Sequence, residues 1–307
     1  MKKKIALIVM CIFLLTGCTK NFTVKNEENN TQKTYVSNIL CKPEDKELIK
    51  IYENNSNILK EVDVNFDKLP QCKNLKINSG GYEGLWTSLF VKPLAWIIVK
   101  VGLIVKSYGF AIIIVGLILR ALLLPMSIKS VKMSENMNKA QKDLNKLEKK
   151  YSGKTDQESM MAKSQEMLMI YKKYDINPMS SCLSSFLQLP LFFAFLEAVY
   201  RVPAFFENTF LGVFHLGTTP LEGIKAGNYW YILLIVLILA ATYFSFKNVN
   251  NQNGDAMQAQ QMKMMSTFMV VFIGIASFSL QTSIALYWIV SNGFTIVQNL
   301  IIKKGKL

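Results

Sequence analysis

The chain has 307 residues, 51% of them hydrophobic, with a formal net charge of +14 and a mean hydropathy of +0.24. Several blocks of roughly 17–21 residues carry almost no charge, the length a helix needs to cross about 30 Å of hydrocarbon. This excludes an ordinary soluble domain and predicts an all-α polytopic membrane protein. Its excess lysine is then expected on the cytoplasmic side and against anionic headgroups rather than on nucleic acid.

Residues 1–17 read as a signal peptide. Lys2, Lys3 and Lys4 precede an apolar run from Ile5 to Leu15, too short to span. The run ends in "LTGC", which resembles a bacterial lipoprotein lipobox, so Cys18 is the expected site of lipidation (diacylglyceryl, with palmitate) and the mature N-terminus. An uncleaved signal anchor is the alternative. Residues 18–82 form a polar extracytoplasmic segment rich in Asn, Lys and Glu, expected to be partly disordered or a small adaptable domain, with local helix at "ELIKIY". Cys41 and Cys72 would face an oxidising compartment, and either a disulfide or two free thiols is open to them.

Residues 83–106, "EGLWTSLFVKPLAWIIVKVGLIVK", are apolar but interrupted by Lys92, Lys100 and Lys106. With Ser88 these fall within an arc of about 120° on a helix, so the segment is expected to lie on the outer membrane surface. The five-helix core is placed at 107–302, with spans at 108–128, 178–200, 229–246, 264–281 and 284–302. The loop 129–173 holds eleven Lys and six acids, and the short basic tail 303–307 three more Lys. Five spans with the N-terminus outside and the C-terminus inside put every Lys-rich loop in the cytoplasm. A sixth span at 83–106 would turn the eleven-Lys loop outward. That loop is strong helix-former sequence on both sides of "SGKTD". It predicts a cytoplasmic helical hairpin over 131–174, with a capping box T-x-x-E at Thr155–Glu158 opening its second helix.

Catalytic signatures are mostly missing. One histidine, His215, excludes HExxH and two-His zinc sites, and neither GxxxxGK nor GxSxG occurs. No Asp lies in any span. The reading is therefore of a protein that is not an enzyme and uses no metal or cofactor. Arg120, in "GLILRALLLP", is the outstanding residue. It lies about eight residues from the cytoplasmic end of its span, roughly 12 Å deep. A charge at that depth costs about 2.5–3.5 kcal/mol on insertion scales. Either it is satisfied structurally by its neighbours, or it faces a water-filled cavity and attracts anionic groups. No acidic residue inside the spans is expected to pair with it. Gln188 lies at suitable depth, and the last span carries Trp288, Asn292, Thr295 and Asn299 at i, i+3/i+4 spacing, with Ser291 and Gln298 beside them. Such a stripe binds a neighbouring helix or lines a polar cavity. Met126 to Met179 holds eight of the fifteen methionines, side chains suited either to ordinary packing or to surfaces that accept varied apolar segments.

Together "YGFAIIIVGLILRALLLPMSIKSVKMSENM", "QLPLFFAF" and "LYWIVSNGFTIVQ" resemble the YidC/Oxa/Alb family of membrane protein insertases, over about residues 84–302. With the lipobox, the resemblance is to the Gram-positive lipoprotein type in the bacterial plasma membrane. It implies an inner-leaflet hydrophilic groove with Arg120, Gln188 and Trp288 in it, nascent membrane proteins as substrates within the phospholipid bilayer, and a Sec translocon and ribosome as further partners. The tail "IIKKGKL" is short for a ribosome tether, and the resemblance assigns no role to 19–80. The alternative function is a small secondary transporter or channel for an anionic solute, though no internal repeat supports it. A third reading is a lipid-anchored assembly protein whose polar stripe only binds partner helices.

Overall fold

The computed structural model describes residues 19–26, 31–177, 190–250 and 256–303. Cys18 and Gln188 lie outside them. The chain divides into two compact units, the first comprising Met1–Gly116, Leu189–Leu234 and Ser279–Tyr287, the second Leu117–Gln188, Ile235–Phe278 and Trp288–Leu307.

The first unit contains more folded structure at its N-terminal end than the polar composition suggests. Strands Asn21–Asn26 and Thr31–Val36 pair antiparallel in the register Phe22↔Tyr35. Helix Lys46–Asn54 begins at Asp45, whose side chain accepts the Leu48 N–H. Phe22, Val36, Ile39, Tyr52, Leu59 and Phe66 form a small buried core, in which the Tyr52 ring stacks on Phe66 and meets Phe22 edge-on. Burial also raises the Tyr52 phenol well above its ordinary pKa, and its hydroxyl donates to the Val36 carbonyl at 2.8 Å. A disulfide joins Cys41 to Cys72. Partly buried hydrophobics, Tyr200 among them, pack against this core, so a segment with no continuous apolar block still has a folded core.

The next helix runs from Gly84 to Val105, with a π turn over Thr87–Val91. Pro93 supplies no N–H to the preceding turn, and the widened turn before it accommodates that loss. By length and composition this helix could itself cross a membrane. Its three lysines do not act as one surface stripe. Lys92 is 3% exposed, and its Nζ pairs with Glu83 at 2.8 Å and donates to the carbonyls of Ser79 and Gly81. Lys106 has left the helix and caps it at φ 54°. The tight turn that follows needs Gly102, where any Cβ would collide with the Tyr108 ring.

Arg201 ties the first unit together. It is 1% exposed and pairs with Glu83 and with Glu197, the latter at 3.2 Å. Glu197 also accepts the Trp86 indole N–H at 2.8 Å. Glu197 falls within the second expected span, so the spans are not free of acidic residues. Its described partners are Arg201 and Trp86, within the first unit. The two carboxylates, Arg201 and Lys92 balance in charge, which lets Arg201, Lys92 and Glu197 be buried beside the partly exposed Glu83. Burial pushes the Glu83 carboxyl up, but Arg201 and Lys92 outweigh it and hold the group below its ordinary pKa.

The second unit contains the hairpin sequence and most of the last helix. Helix Tyr108–Leu122 breaks at Leu123 and resumes as Leu124–Lys150 after a bend of 54°, so the expected span 108–128 is not one straight helix. Pro125 in the first turn of the second piece removes the N–H that would continue the ladder. The hairpin helices are Leu124–Lys150 and Gln157–Lys173. Asp156, not Thr155, caps the second, its carboxylate accepting the Ser159 N–H at 2.8 Å. The capping box occurs instead at Thr219–Glu222, ahead of helix Pro220–Lys225. Between the hairpin helices the contacts include the ion pairs Lys150–Glu166, Lys163–Glu148 and Lys173–Asp143, with the Tyr151 hydroxyl donating to Glu166 and the Tyr174 hydroxyl to Asp143. Met160, Met161, Leu168 and Met169 face outward.

The apolar helices expose large side chains, among them Leu122 at 71%, Ile275 at 71% and Ile104 at 79%. So many exposed apolar groups would destabilise a water-soluble fold, whereas hydrocarbon solvates them. Helices Thr282–Ile302 and Gly84–Val105 are long and apolar enough to span, as is the bent pair Tyr108–Lys150 taken together. Helices Trp230–Phe246, Thr267–Ala276 and Pro190–Tyr200 are apolar but shorter among the described residues.

Arg201→Gln should leave Glu83 and Glu197 undercompensated and cost about 3–5 kcal/mol, read as a lowered unfolding midpoint in detergent. Because the native pKa of Glu83 is lowered, its contribution is fully present above its unfolded value of about 4.3. It is lost as pH falls from there through the native pKa. Glu83→Gln should therefore lower stability at neutral pH and flatten the acid limb of the stability profile.

Candidate functional site

Arg120 lies in the last turn of its helix. Helix C-termini concentrate partial negative charge on their free carbonyls, and a guanidinium there gains favourable electrostatics that a mid-helix arginine lacks. The break at Leu123 therefore places the charge where the backbone itself helps to hold it. The side chain is half-buried, and its Nε donates to Ser291 Oγ at 2.6 Å. Ser291, 3% exposed, comes from helix Thr282–Lys303.

The polar stripe expected along that helix is present. Trp288 donates its indole N–H to Thr242 Oγ1 at 3.0 Å. Thr242 is fully buried on helix Trp230–Asn250 and donates its own hydroxyl to the Ile238 carbonyl at 2.7 Å. Asn292 Nδ2 donates to the Trp288 carbonyl at 2.9 Å, and Thr295 Oγ1 to the Ser291 carbonyl at 3.0 Å. Gln298 is buried two turns beyond Ser291. All of these residues belong to the second unit. The structure thus brings Arg120 directly onto Ser291. Trp288, Asn292 and Thr295 are joined to the same helix segment by hydrogen bonds.

Two partners carry little signal in the sequence: Ser291 stands beside the stripe, and Thr242 lies inside an apolar span, "LLIVLILAATYF". A threonine there bonds readily to the carbonyl four residues back, so its presence alone signals nothing. What marks it is a tryptophan N–H, which needs an acceptor when half-buried among apolar helices. His215 is structural: its ring Nδ1 lies 3.1 Å from Thr218 Oγ1, and its backbone N–H donates to the Tyr231 hydroxyl.

Apolar helices carrying a polar cluster around Arg120 define the class as an α-helical membrane protein. The comparisons narrow it. The family model described as "60Kd inner membrane protein" matches residues 100–307. The chain is 32% identical over 224 residues to the membrane protein insertase YidC of Oceanobacillus iheyensis, covering 72% of this chain and 85% of that one. It is 36% identical over 221 residues to the membrane protein insertase YidC 2 of Bacillus anthracis, covering 72% and 82%. To the membrane protein insertase MisCA of Bacillus subtilis it is 33% identical, covering 71% and 79%. Its fold is similar to the crystal structure of an active YidC insertase with the first transmembrane domain resolved, at a TM-score of 0.51 and 24% identity. That match covers 89% of this chain but spans only 56% of the other. The chain therefore belongs to the YidC/Oxa/Alb family, and it is a protein of the cell membrane.

Trp288→Phe and Thr242→Val should each lower stability by about 1 kcal/mol, the usual net value of such a bond. The double variant should cost less than the sum of the two, because both remove the same contact. Full additivity in unfolding measurements in detergent would show that the indole and the hydroxyl do not depend on each other.

Proposed function

We propose that this protein inserts membrane proteins, and helps them fold, through a hydrophilic groove in the inner leaflet centred on Arg120. The observation that carries the reading is a half-buried guanidinium bonded to a buried serine, Ser291, on an adjoining apolar helix. Trp288, Asn292 and Thr295 extend along the same helix as groove-lining residues, with Gln188 as a further lining residue. Family membership and the insertase names of its relatives support the same reading.

The physical mechanism follows from solvation. Water in the groove keeps Arg120 charged without the full penalty of placing a charge in hydrocarbon. The positive field attracts acidic or polar residues in the part of a nascent chain that must cross. Entry into the groove leaves half of the bilayer to be crossed. The substrate's apolar segment meanwhile partitions into lipid along the apolar flank, and this transfer together with the membrane potential drives the process. No nucleotide hydrolysis enters.

The topology that suits this work has five spans, the N-terminus outside with Cys18 lipidated, and the hairpin and C-terminus in the cytoplasm. In it the Gly84–Val105 helix lies at the outer interface. The outward Met160, Met161, Leu168 and Met169 give the hairpin an adaptable apolar face for arriving segments. A Sec translocon and the ribosome are natural partners of such a route.

The test is a complementation and insertion assay in cells that depend on this protein, with a single-span substrate bearing an acidic N-terminus. Arg120→Ala and Arg120→Glu should lower insertion by more than about tenfold, equivalent to ~1.4 kcal/mol of lost interaction. Arg120→Lys, which keeps the charge and loses the guanidinium, should retain part of it. Full activity of Arg120→Glu would reject the mechanism.

A further inference from the structure

Segment 19–80 lies outside the stretch matched by the family model, and the groove mechanism gives it no task. The strip that joins it to helix Gly84–Val105 has a one-sided composition. Residues 68–82, "KLPQCKNLKINSGGY", hold three lysines and no acid. Cys72 and Leu75 anchor the strip inward, both buried. Turns close the rest of it. The Ser79 N–H donates to the Lys76 carbonyl at 3.0 Å, and the Gly81 N–H to the Asn78 carbonyl at 3.2 Å. With the strip held in this way, Lys73, Lys76, Ile77 and Tyr82 are left exposed, Tyr82 at 72%.

The helix that follows has lost its own basic face to this strip. Lys92 Nζ donates to the carbonyls of Ser79 and Gly81, and Lys100 Nζ donates to the Lys73 carbonyl at 3.4 Å. The large side chains that the first turns of the helix leave exposed are apolar. Leu85 and Leu89 are 52% and 62% exposed and stand about one turn apart. At the far end Ile104 is exposed too, and only Lys106 and Ser107 separate the helix from the apolar helix Tyr108–Leu122. That short link keeps the end of one helix at the depth where the other begins. An interfacial helix carries lysines beside its apolar face, where they meet lipid phosphates. Here the helix supplies the apolar face alone, and exposed lysines stand on the strip that precedes it.

We infer that Lys73 and Lys76, with Ile77 and Tyr82, form a phospholipid-binding edge of segment 19–80 that makes the headgroup contacts helix Gly84–Val105 no longer makes. The occupant is an anionic bilayer surface. The two ammonium groups meet lipid phosphates, Ile77 enters the acyl boundary together with Leu85 and Leu89, and the Tyr82 ring sits at headgroup level. The segment is then seated on the membrane as well as on Arg201, which bonds the Asn38 carbonyl and the Leu40 N–H. The inference rests on the interfacial placement proposed for the helix, and its test separates the two.

The test is spin labelling of the full chain in lipid nanodiscs, with Cys11, Cys18 and Cys182 replaced by serine and the Cys41–Cys72 disulfide retained. Ile77→Cys and Leu89→Cys are labelled in turn. Collisions with oxygen, which concentrates in hydrocarbon, are compared with collisions with a water-soluble nickel chelate. In nanodiscs of equal parts phosphatidylglycerol and phosphatidylcholine, both labels should favour oxygen. In phosphatidylcholine alone the Leu89 label should be unchanged, while the Ile77 label should become at least about fivefold more accessible to nickel, the weight of one lysine at an anionic surface. Lys73→Glu/Lys76→Glu should produce the same rise at position 77 in the mixed nanodiscs. Both lysines are exposed and the hydrogen bonds at them are made by main-chain atoms, so the fold survives the change. Nickel access at position 77 that ignores both lipid charge and the double variant, with the Leu89 label in hydrocarbon, would overturn the inference and leave the helix placement standing. Nickel access at position 89 in both lipids would overturn the helix placement and the inference with it.

Discussion

Two arginines, Arg120 and Arg201, are placed at the cost of putting a guanidinium among apolar helices. The chain meets that cost in two ways. Arg201 is bonded to the carboxylates of Glu83 and Glu197 and shares Glu83 with Lys92. That is a closed, charge-balanced group, and it serves architecture. Arg120 sits at a helix C-terminus and donates to a serine hydroxyl. The two arginines thus sit in different settings: Arg201 among carboxylates, Arg120 at a helix end beside a hydroxyl.

The break at Leu123 links the second use to the fold. Pro125 stops the helix three residues after Arg120 and starts Leu124–Lys150 in a new direction. The same proline thus frees the carbonyls that favour the guanidinium and launches the hairpin. The hairpin buries Ala140 and Leu147, pairs Lys150, Lys163 and Lys173 with Glu166, Glu148 and Asp143 across its two helices, and exposes Met160, Met161 and Met169.

How much of this the sequence revealed depends on the kind of signal. Long uncharged runs announce helices through one strong property, so the membrane class and the stripe on Thr282–Lys303 were readable. So was the oddity of Arg120. The family resemblance, carried by "LILRALLLP" and "LYWIVSNGF", agrees with the relatives that the comparisons found. Partnerships across distant segments were much less readable. Glu197 lies near the end of an apolar run and passes for a boundary residue until Arg201 and Trp86 are placed around it. Lys92 looks like part of a surface stripe because helical periodicity reports angle and not what stands opposite. The 19–80 core is hard to read from sequence because Phe22, Tyr52 and Phe66 are isolated in sequence and meet only in the folded segment. Thr155 and Asp156 compete for one cap, and the choice rests on backbone geometry that composition does not carry.

The central claim is that the cluster around Arg120 opens to water from the cytoplasmic side alone. It can be measured with Thr295→Cys in a background whose native cysteines are replaced by serine, using a membrane-impermeant maleimide. Inverted vesicles, which present the cytoplasmic face, should label at this position while intact cells should not, and prior reaction with a small permeant thiol reagent should block the label. Absence of labelling from both sides, with the protein folded and active, would mean that the cluster is a dry helix-packing joint. Labelling from outside would contradict the inner-leaflet groove directly.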